Sequence, residues 1–319
     1  MEPQVRLVYP KDKPLKEWLR ARLPRAYEAV VALNTRLKDR RYRRLQEDLF
    51  GHLAGMSEQP FHVEIETLNK CNSTCAFCPV NRDSDPRPTM RMDEALFRRI
   101  IDELADWDYR NVVNLFSNNE PFLDKRIFEF TEYARERLPH AFIQIISNGT
   151  ALNVENTERI LPHLSRLIVN NYSTRLVLHD NVQAIVDHLN AHRPDLAGKM
   201  VVGFRLLDEV KTNRAGNAPN RTVSETVYTS RCAYPFFQMV IRPDGKVSLC
   251  CNDALGEVTL GDAGTGALRA AWNSPERRQV QRAMLAGRDG IDLCRTCDNL
   301  SWAKPRRIAE AVAARSFTA

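Results

Sequence analysis

Alternation of apolar and polar side chains sets in at Phe61. Phe61, Val63 and Ile65 fall on one side of an extended chain and His62, Glu64 and Glu66 on the other, which predicts a strand ending just before Cys71. The period then lengthens: Asp93 caps a stretch in which Leu96, Ile100, Ile101 and Leu104 share one helical face. A strand through Val112, Val113, Leu115 and Phe116 follows, then a helix from near Asp124 carrying Ile127, Phe128 and Ala134, then a strand through Phe142, Ile143, Ile145 and Ile146. Leu167 to Val169 and Met200 to Phe204 read as further buried strands, with the helical stretch Asn181 to Leu189 between them. Strands alternating with helices imply an α/β fold around a parallel sheet, whose chemistry belongs in the loops at the carboxyl ends of the strands.

The flanks differ. Between Pro24 and Phe50, the residues Tyr27, Val30, Val31, Leu33, Leu37 and Leu45 fall mostly on one side of a helix with Arg and Lys on the other, and Gly51 is a suitable stop, so residues 1–56 read as a helical extension. The stretch Thr212 to Ser230 has linker composition. Beyond it, Gln238 to Arg242, Pro243-Asp244-Gly245 and Lys246 to Cys250 form a hairpin pattern, with short helices expected over Ala267 to Trp272 and Pro275 to Ala286, as in a small separate module. The division expected is 1–56 extension, 57–220 core, 221–304 module and 305–319 tail helix.

With 43% apolar residues and 27% charged, the chain is neither disordered nor a disulfide miniprotein. No run approaches the roughly 20 apolar residues of a membrane helix, and the charged start lacks a signal peptide's apolar segment, so a cytoplasmic protein is expected. Residues 1–50 hold 13 Lys and Arg against 7 Asp and Glu, which accounts for the whole formal charge of +6. A solvated helix face explains that excess better than a nucleic-acid site does.

Eight cysteines in such a chain point to metal chemistry more than to disulfides. Cys71, Cys75 and Cys78 form C-x3-C-x2-C, with Phe77 before the last, in the loop after the first expected strand. Three thiolates on one loop can hold three irons of a four-iron cluster and leave the fourth open. This motif resembles that of the radical S-adenosylmethionine (radical SAM) enzymes. Ser117-Asn118-Asn119-Glu120-Pro121, after the second strand, stands where that family usually has Gly-Gly-Glu-Pro. The resemblance implies that Glu120 receives the ammonium of the SAM methionine, with Asn118 and Asn119 replacing glycines as residues that tolerate positive φ. Ser147 and Asn148, after the third strand, resemble the ribose-contacting segment. Asn170, after the fourth, is similarly placed, and Arg205 is a further candidate to face the cofactor, as is Arg214.

Cys232, Cys250, Cys294 and Cys297 resemble the ligand set of the Twitch auxiliary domain, the shorter relative of SPASM. The likeness covers about residues 57 to 300 and implies a partial (β/α)6 TIM-type barrel, two [4Fe-4S] clusters, SAM, and a one-electron donor such as flavodoxin or ferredoxin. Cys250 and Cys251, as neighbours on an expected strand, face opposite ways, so one ligates. Spacing favours Cys250 and leaves Cys251 as a candidate hydrogen donor, against a plain buried-core role. The activity implied is hydrogen abstraction from a small polar substrate of sugar, aminocyclitol or aminoglycoside type, ending in dehydrogenation or epimerisation. A peptide-modifying maturase and a non-catalytic zinc scaffold are the alternatives.

Overall fold

The structure, a computed structural model, describes residues 3–10, 22–46, 50, 58–221, 226–301, 304 and 306. The Gly51 stop and, but for residue 306, the expected 305–319 tail helix lie outside the described residues. Five strands joined by four helices form the centre: β2 (His62–Ile65), β3 (Val112–Asn114), β4 (Phe142–Ser147), β5 (Arg166–Ser173) and β6 (Met200–Leu206) lie side by side in chain order and pair parallel. The crossover helices are α2 (Glu94–Asp106), α3 (Ile127–Arg137), α4 (Val154–Ile160) and α5 (Asp180–His192). In α2 the Asp93 carboxylate accepts from the N–H groups of Ala95 and Leu96, and Phe97, Ile100, Ile101 and Leu104 are buried. Phe97 stacks on Phe130 of α3 at 4.0 Å between ring centroids, so the helical layer closes over the sheet through its own aromatics.

The alternating repeat thus ends after five strands, and the sixth parallel place, beside β6, is taken by the N-terminus. β1 (Arg6–Val8) pairs with Val201, Val202 and Gly203, and Tyr9 stacks on Phe204 at 4.2 Å. This corrects the purely helical reading of residues 1–56. Three residues are too few to show a period, whereas the exposed edge of β6 supplies unpaired backbone groups that a passing chain satisfies.

The long helix α1 (Pro24–Leu45) forms as expected, but its apolar side does not pack inward. Val30, Leu33 and Leu37 are 62%, 59% and 56% exposed. The buried side is polar instead: Asp39 accepts from the N–H groups of Thr229 and Ser230 at 2.7 and 2.8 Å, and Gln46 exchanges hydrogen bonds with the backbone of Arg231. Those contacts satisfy buried backbone groups, which costs more to forgo than solvating scattered leucines.

The C-terminal hairpin does not stand apart either. β7 (Gln238–Ile241) runs parallel to β2 across the opposite edge, and β8 (Lys246–Ser248) and β9 (Thr259–Asp262) continue antiparallel, giving one nine-stranded sheet in the order β1-β6-β5-β4-β3-β2-β7-β8-β9. The helices α6 (Leu268–Trp272) and α7 (Pro275–Ala286) complete this side. No helix among the described residues is long and apolar enough to cross a membrane.

Candidate active site

Loops after β2, β3, β4, β5 and β6 converge at the carboxyl ends of the strands. The first brings Cys71, Cys75 and Cys78, all as free thiols. Asn81 shapes it, donating to the Cys75 and Cys78 carbonyls at 3.2 and 2.9 Å and accepting from the N–H groups of Asp83 and Ser84. Burial pushes the Cys71 thiol up to about 12 and raises that of Cys75. Thiols this hard to ionise become thiolates when a metal supplies the compensating charge. Among the described residues no three His, Cys, Asp or Glu side chains are grouped so as to hold a single metal ion. A tetrahedral zinc needs its sulfurs within about 2.3 Å of one point, whereas a multi-iron cluster carries each cysteine on a different corner. Three thiols on one loop, able to take three different corners, fit the cluster.

Glu120 lies at the centre of the next two loops, 1% exposed. Its Oε1 accepts from the Ser147 hydroxyl at 2.8 Å and the Phe122 N–H at 3.2 Å, and its Oε2 from the Asn148 N–H at 2.7 Å. One lone pair of Oε2 is left for a ligand. Burial, against those three hydrogen bonds, pushes its pKa up to about 7. The carboxyl is therefore half ionised near neutrality, and an ammonium bound beside it pulls it to the charged form.

Neither Asn118 nor Asn119 adopts positive φ, contrary to the expectation that they stand in for glycines. Their side chains are built into the loop. Asn119 Oδ1 accepts from the Ser117 N–H at 3.0 Å, Asn118 Oδ1 accepts from the Arg214 guanidinium, and the Asn118 carbonyl accepts from Arg87 at 3.0 Å. Arg87, unnoticed in the sequence, also reaches Glu66 at 3.3 Å, Asp85 at 3.0 Å and the Asn69 carbonyl at 3.1 Å, and so clamps the cysteine loop to the Glu120 loop. The glycine that needs its freedom is Gly149, at φ 81°. A Cβ there meets Val169 Cγ1 at 2.6 Å. Gly149→Ala is expected to destabilise the fold by more than about 1 kcal/mol, the cost of a left-handed alanine alone, read as a fall in the urea midpoint.

Asn170 sits within β5 and not after it, because the strand runs on to Ser173. It shares a face with Tyr172, whose ring is 5.7 Å from that of Phe77. Lys211 Nζ lies 3.9 Å from the Phe77 ring centroid and 3.0 Å from the Tyr172 hydroxyl. Burial, with help from Arg205, lowers its pKa to about 8. Arg205 pairs with Glu209, and the Nε atoms of Arg205 and Arg214 are buried without a partner, as is Asn119 Nδ2. Arg214 and Ala215 stand consecutively in left-handed backbone, at φ 51° and 57°. Strained backbone and unsatisfied donors both collect at this rim.

On the far side, Cys232, Cys250, Cys294 and Cys297 line one pocket together with Met284 and Arg288. β8 ends at Ser248, so Cys250 and Cys251 lie in the following turn and not on a strand. They diverge all the same. Asp253 organises the turn, accepting from the N–H groups of Leu249, Glu257 and Val258 at 3.3, 2.8 and 3.2 Å. Cys250 enters the four-cysteine pocket. The Cys251 thiol is instead a hydrogen-bond partner of Tyr234, and burial and the nearby Glu64 push it up to about 12. Glu64 accepts from Ser117 at 2.6 Å and from Gln238 at 2.9 Å, while Gln238 Oε1 accepts from the Cys251 N–H at 3.0 Å. Tyr234, Glu64 and Gln238 carry no local motif, since they meet only across the joint between β2 and β7.

Two family profiles match the chain: the radical SAM superfamily over residues 65–176 and the SPASM iron-sulfur cluster-binding domain over residues 232–298. The S-adenosyl-L-methionine-dependent 2-deoxy-scyllo-inosamine dehydrogenase of Niallia circulans is 26% identical over 249 residues, covering 75% of this chain and 93% of that protein. The crystal structure of BtrN in complex with AdoMet and 2-DOIA has the same fold, with a TM-score of 0.65 and 23% identity over 77% of this chain and 96% of that one. An open conformation of BtrN superposes with a TM-score of 0.56 at 22% identity, covering 77% of this chain and 95% of that one. The chain is a radical SAM enzyme whose partial barrel is joined to a SPASM-type domain for an auxiliary iron-sulfur cluster.

Proposed function

We propose that this enzyme abstracts a hydrogen atom from a ring carbon of an aminocyclitol or aminoglycoside-type substrate and returns hydrogen from Cys251, inverting that carbon. The bound clusters and SAM supply the electron and the 5′-deoxyadenosyl radical. Cys71, Cys75 and Cys78 hold the reactive cluster, Glu120 takes the methionyl ammonium, and the Ser147-Asn148 segment, Asn170 and Arg205 line the rest of the SAM site. Cys232, Cys250, Cys294 and Cys297 hold the auxiliary cluster. The observation that carries the outcome is the separation of Cys251 from the cysteine pocket beside it. Its thiol is half-buried, stays protonated at neutral pH and has Tyr234 and Glu64 as neighbours. The S–H hydrogen passes to the substrate carbon, and one electron and one proton then regenerate the thiol from the thiyl left behind. A small carrier of flavodoxin or ferredoxin type supplies that electron in the reducing cytoplasm, where the cysteines stay free of disulfides.

Dehydrogenation is the second reading, favoured by the inosamine dehydrogenase relative. In that reading Glu64 would take the hydroxyl proton, and a cluster held by Cys232, Cys250, Cys294 and Cys297 would serve as the one-electron acceptor. Turnover of an aminocyclitol or aminoglycoside in deuterated water separates the two: solvent deuterium on carbon at unchanged formula means inversion, and a loss of two daltons means oxidation. If no such substrate yields 5′-deoxyadenosine coupled to product, the substrate class is wrong.

The Glu120 assignment has its own test. Below a pH of about 7 the carboxyl is mostly protonated and offers the ammonium no charge-assisted hydrogen bond, so SAM affinity is expected to rise with pH through that value. Glu120→Gln is expected to abolish this dependence and to weaken binding at pH 8 by about 1.5 to 3 kcal/mol, the worth of a charge-assisted hydrogen bond. Calorimetric titration with SAM measures both.

A further inference from the structure

We propose that Arg288 is a built-in counter-charge for the auxiliary cluster and raises its reduction potential. This rests on the reading that Cys232, Cys250, Cys294 and Cys297 hold that cluster. Arg288 is 1% exposed and lines the same pocket as those four cysteines. Its guanidinium donates to three carbonyls: Ser230 at 2.8 Å, Cys297 at 2.9 Å and Asn299 at 3.1 Å. Two of those groups lie within two residues of Cys232 or Cys297, and the third belongs to Cys297 itself. No carboxylate is within ion-pair distance of Arg288 among the described residues. Asp39 of α1, a carboxylate that acts on Arg288 from further off, is held by the N–H groups of Thr229 and Ser230.

A cation buried among carbonyls alone is costly to keep. Arg277, equally buried, shows the consequence: it donates to the Pro235 and Gln238 carbonyls, lies 3.6 Å over the Trp272 ring, and has its pKa lowered to about 9 by burial. Arg288 differs in lining the pocket of Cys232, Cys250, Cys294 and Cys297, where the thiolates of a bound cluster would supply its counter-charge. A cluster with four thiolate ligands is anionic and gains one more negative charge on reduction. A fixed positive charge at its wall, in a medium of low dielectric, stabilises the reduced form more than the oxidised one.

The test is a potentiometric titration followed by electron paramagnetic resonance, on the full chain carrying Cys71→Ala, Cys75→Ala and Cys78→Ala so that only the auxiliary cluster reports. Arg288→Gln and Arg288→Met are expected to make reduction at a fixed poise at least tenfold less favourable, a midpoint about 59 mV more negative for one electron. Arg288→Lys is expected to stay within half of that shift. Neutral variants that load with iron and titrate at the unaltered midpoint overturn the proposal. If the neutral variants cannot be loaded and Arg288→Lys can, the charge is what the cluster needs and the proposal stands; failure of all three makes Arg288 a scaffold and overturns it. Absence of an auxiliary signal in the parent protein refutes the ligand assignment itself, and the role of Arg288 falls with it.

Discussion

Replacing Cys71, Cys75 and Cys78 together by Ala is expected to halve the iron content of the anaerobically reconstituted protein, from about eight irons to about four, and to abolish SAM cleavage. The size of the effect follows from chemistry that no other group on the chain performs. SAM is cleaved only by an electron delivered at an iron with an open coordination position, and three ligands on one loop leave such a position, whereas a set of four does not. The three side chains are small, and two of them are half-exposed, so the triple variant keeps its sheet and its second cluster. Iron analysis and chromatography for 5′-deoxyadenosine check the two halves separately. Continued cleavage would place the reactive cluster on the other four cysteines.

Replacing Cys251 by Ala is expected to keep both clusters and still to form 5′-deoxyadenosine with substrate present, yet to yield no inverted product. The substrate radical then has no S–H within reach and decays by other routes. The packing cost is about 1 kcal/mol at most for losing a small half-buried group, so a folded protein is available for the assay. Cys250→Ala is expected to do the opposite, losing the auxiliary iron. The pocket geometry sets that asymmetry, since Cys250 shares a wall with Cys232, Cys294 and Cys297, while Cys251 bonds to Tyr234. Near-normal turnover of Cys251→Ala to an oxidised product would favour the dehydrogenase reading. Loss of iron from Cys251→Ala but not from Cys250→Ala would exchange their roles.

The sequence by itself determined the α/β alternation, because each strand and helix shows its period within a dozen residues. It also determined the C-x3-C-x2-C loop, whose three ligands lie within eight positions, and the Glu120 and Asn148 loops, which recur at successive strand ends. Properties that arise between segments were decided only by the tertiary structure. The outward turn of Val30, Leu33 and Leu37 depends on Asp39 and Gln46 finding backbone partners near Ser230, nearly 200 residues away. A three-residue strand such as Arg6–Val8 has no period to read, and the open edge of β6 creates it. Arg87, Tyr172, Lys211, Tyr234 and Arg288 belong to no motif, and their roles come from surroundings assembled by parallel strands and loops distant in the chain. Local pattern encodes which way a residue faces within its own element, but burial, charge pairing and hydrogen-bond supply are set by whichever other element packs against it.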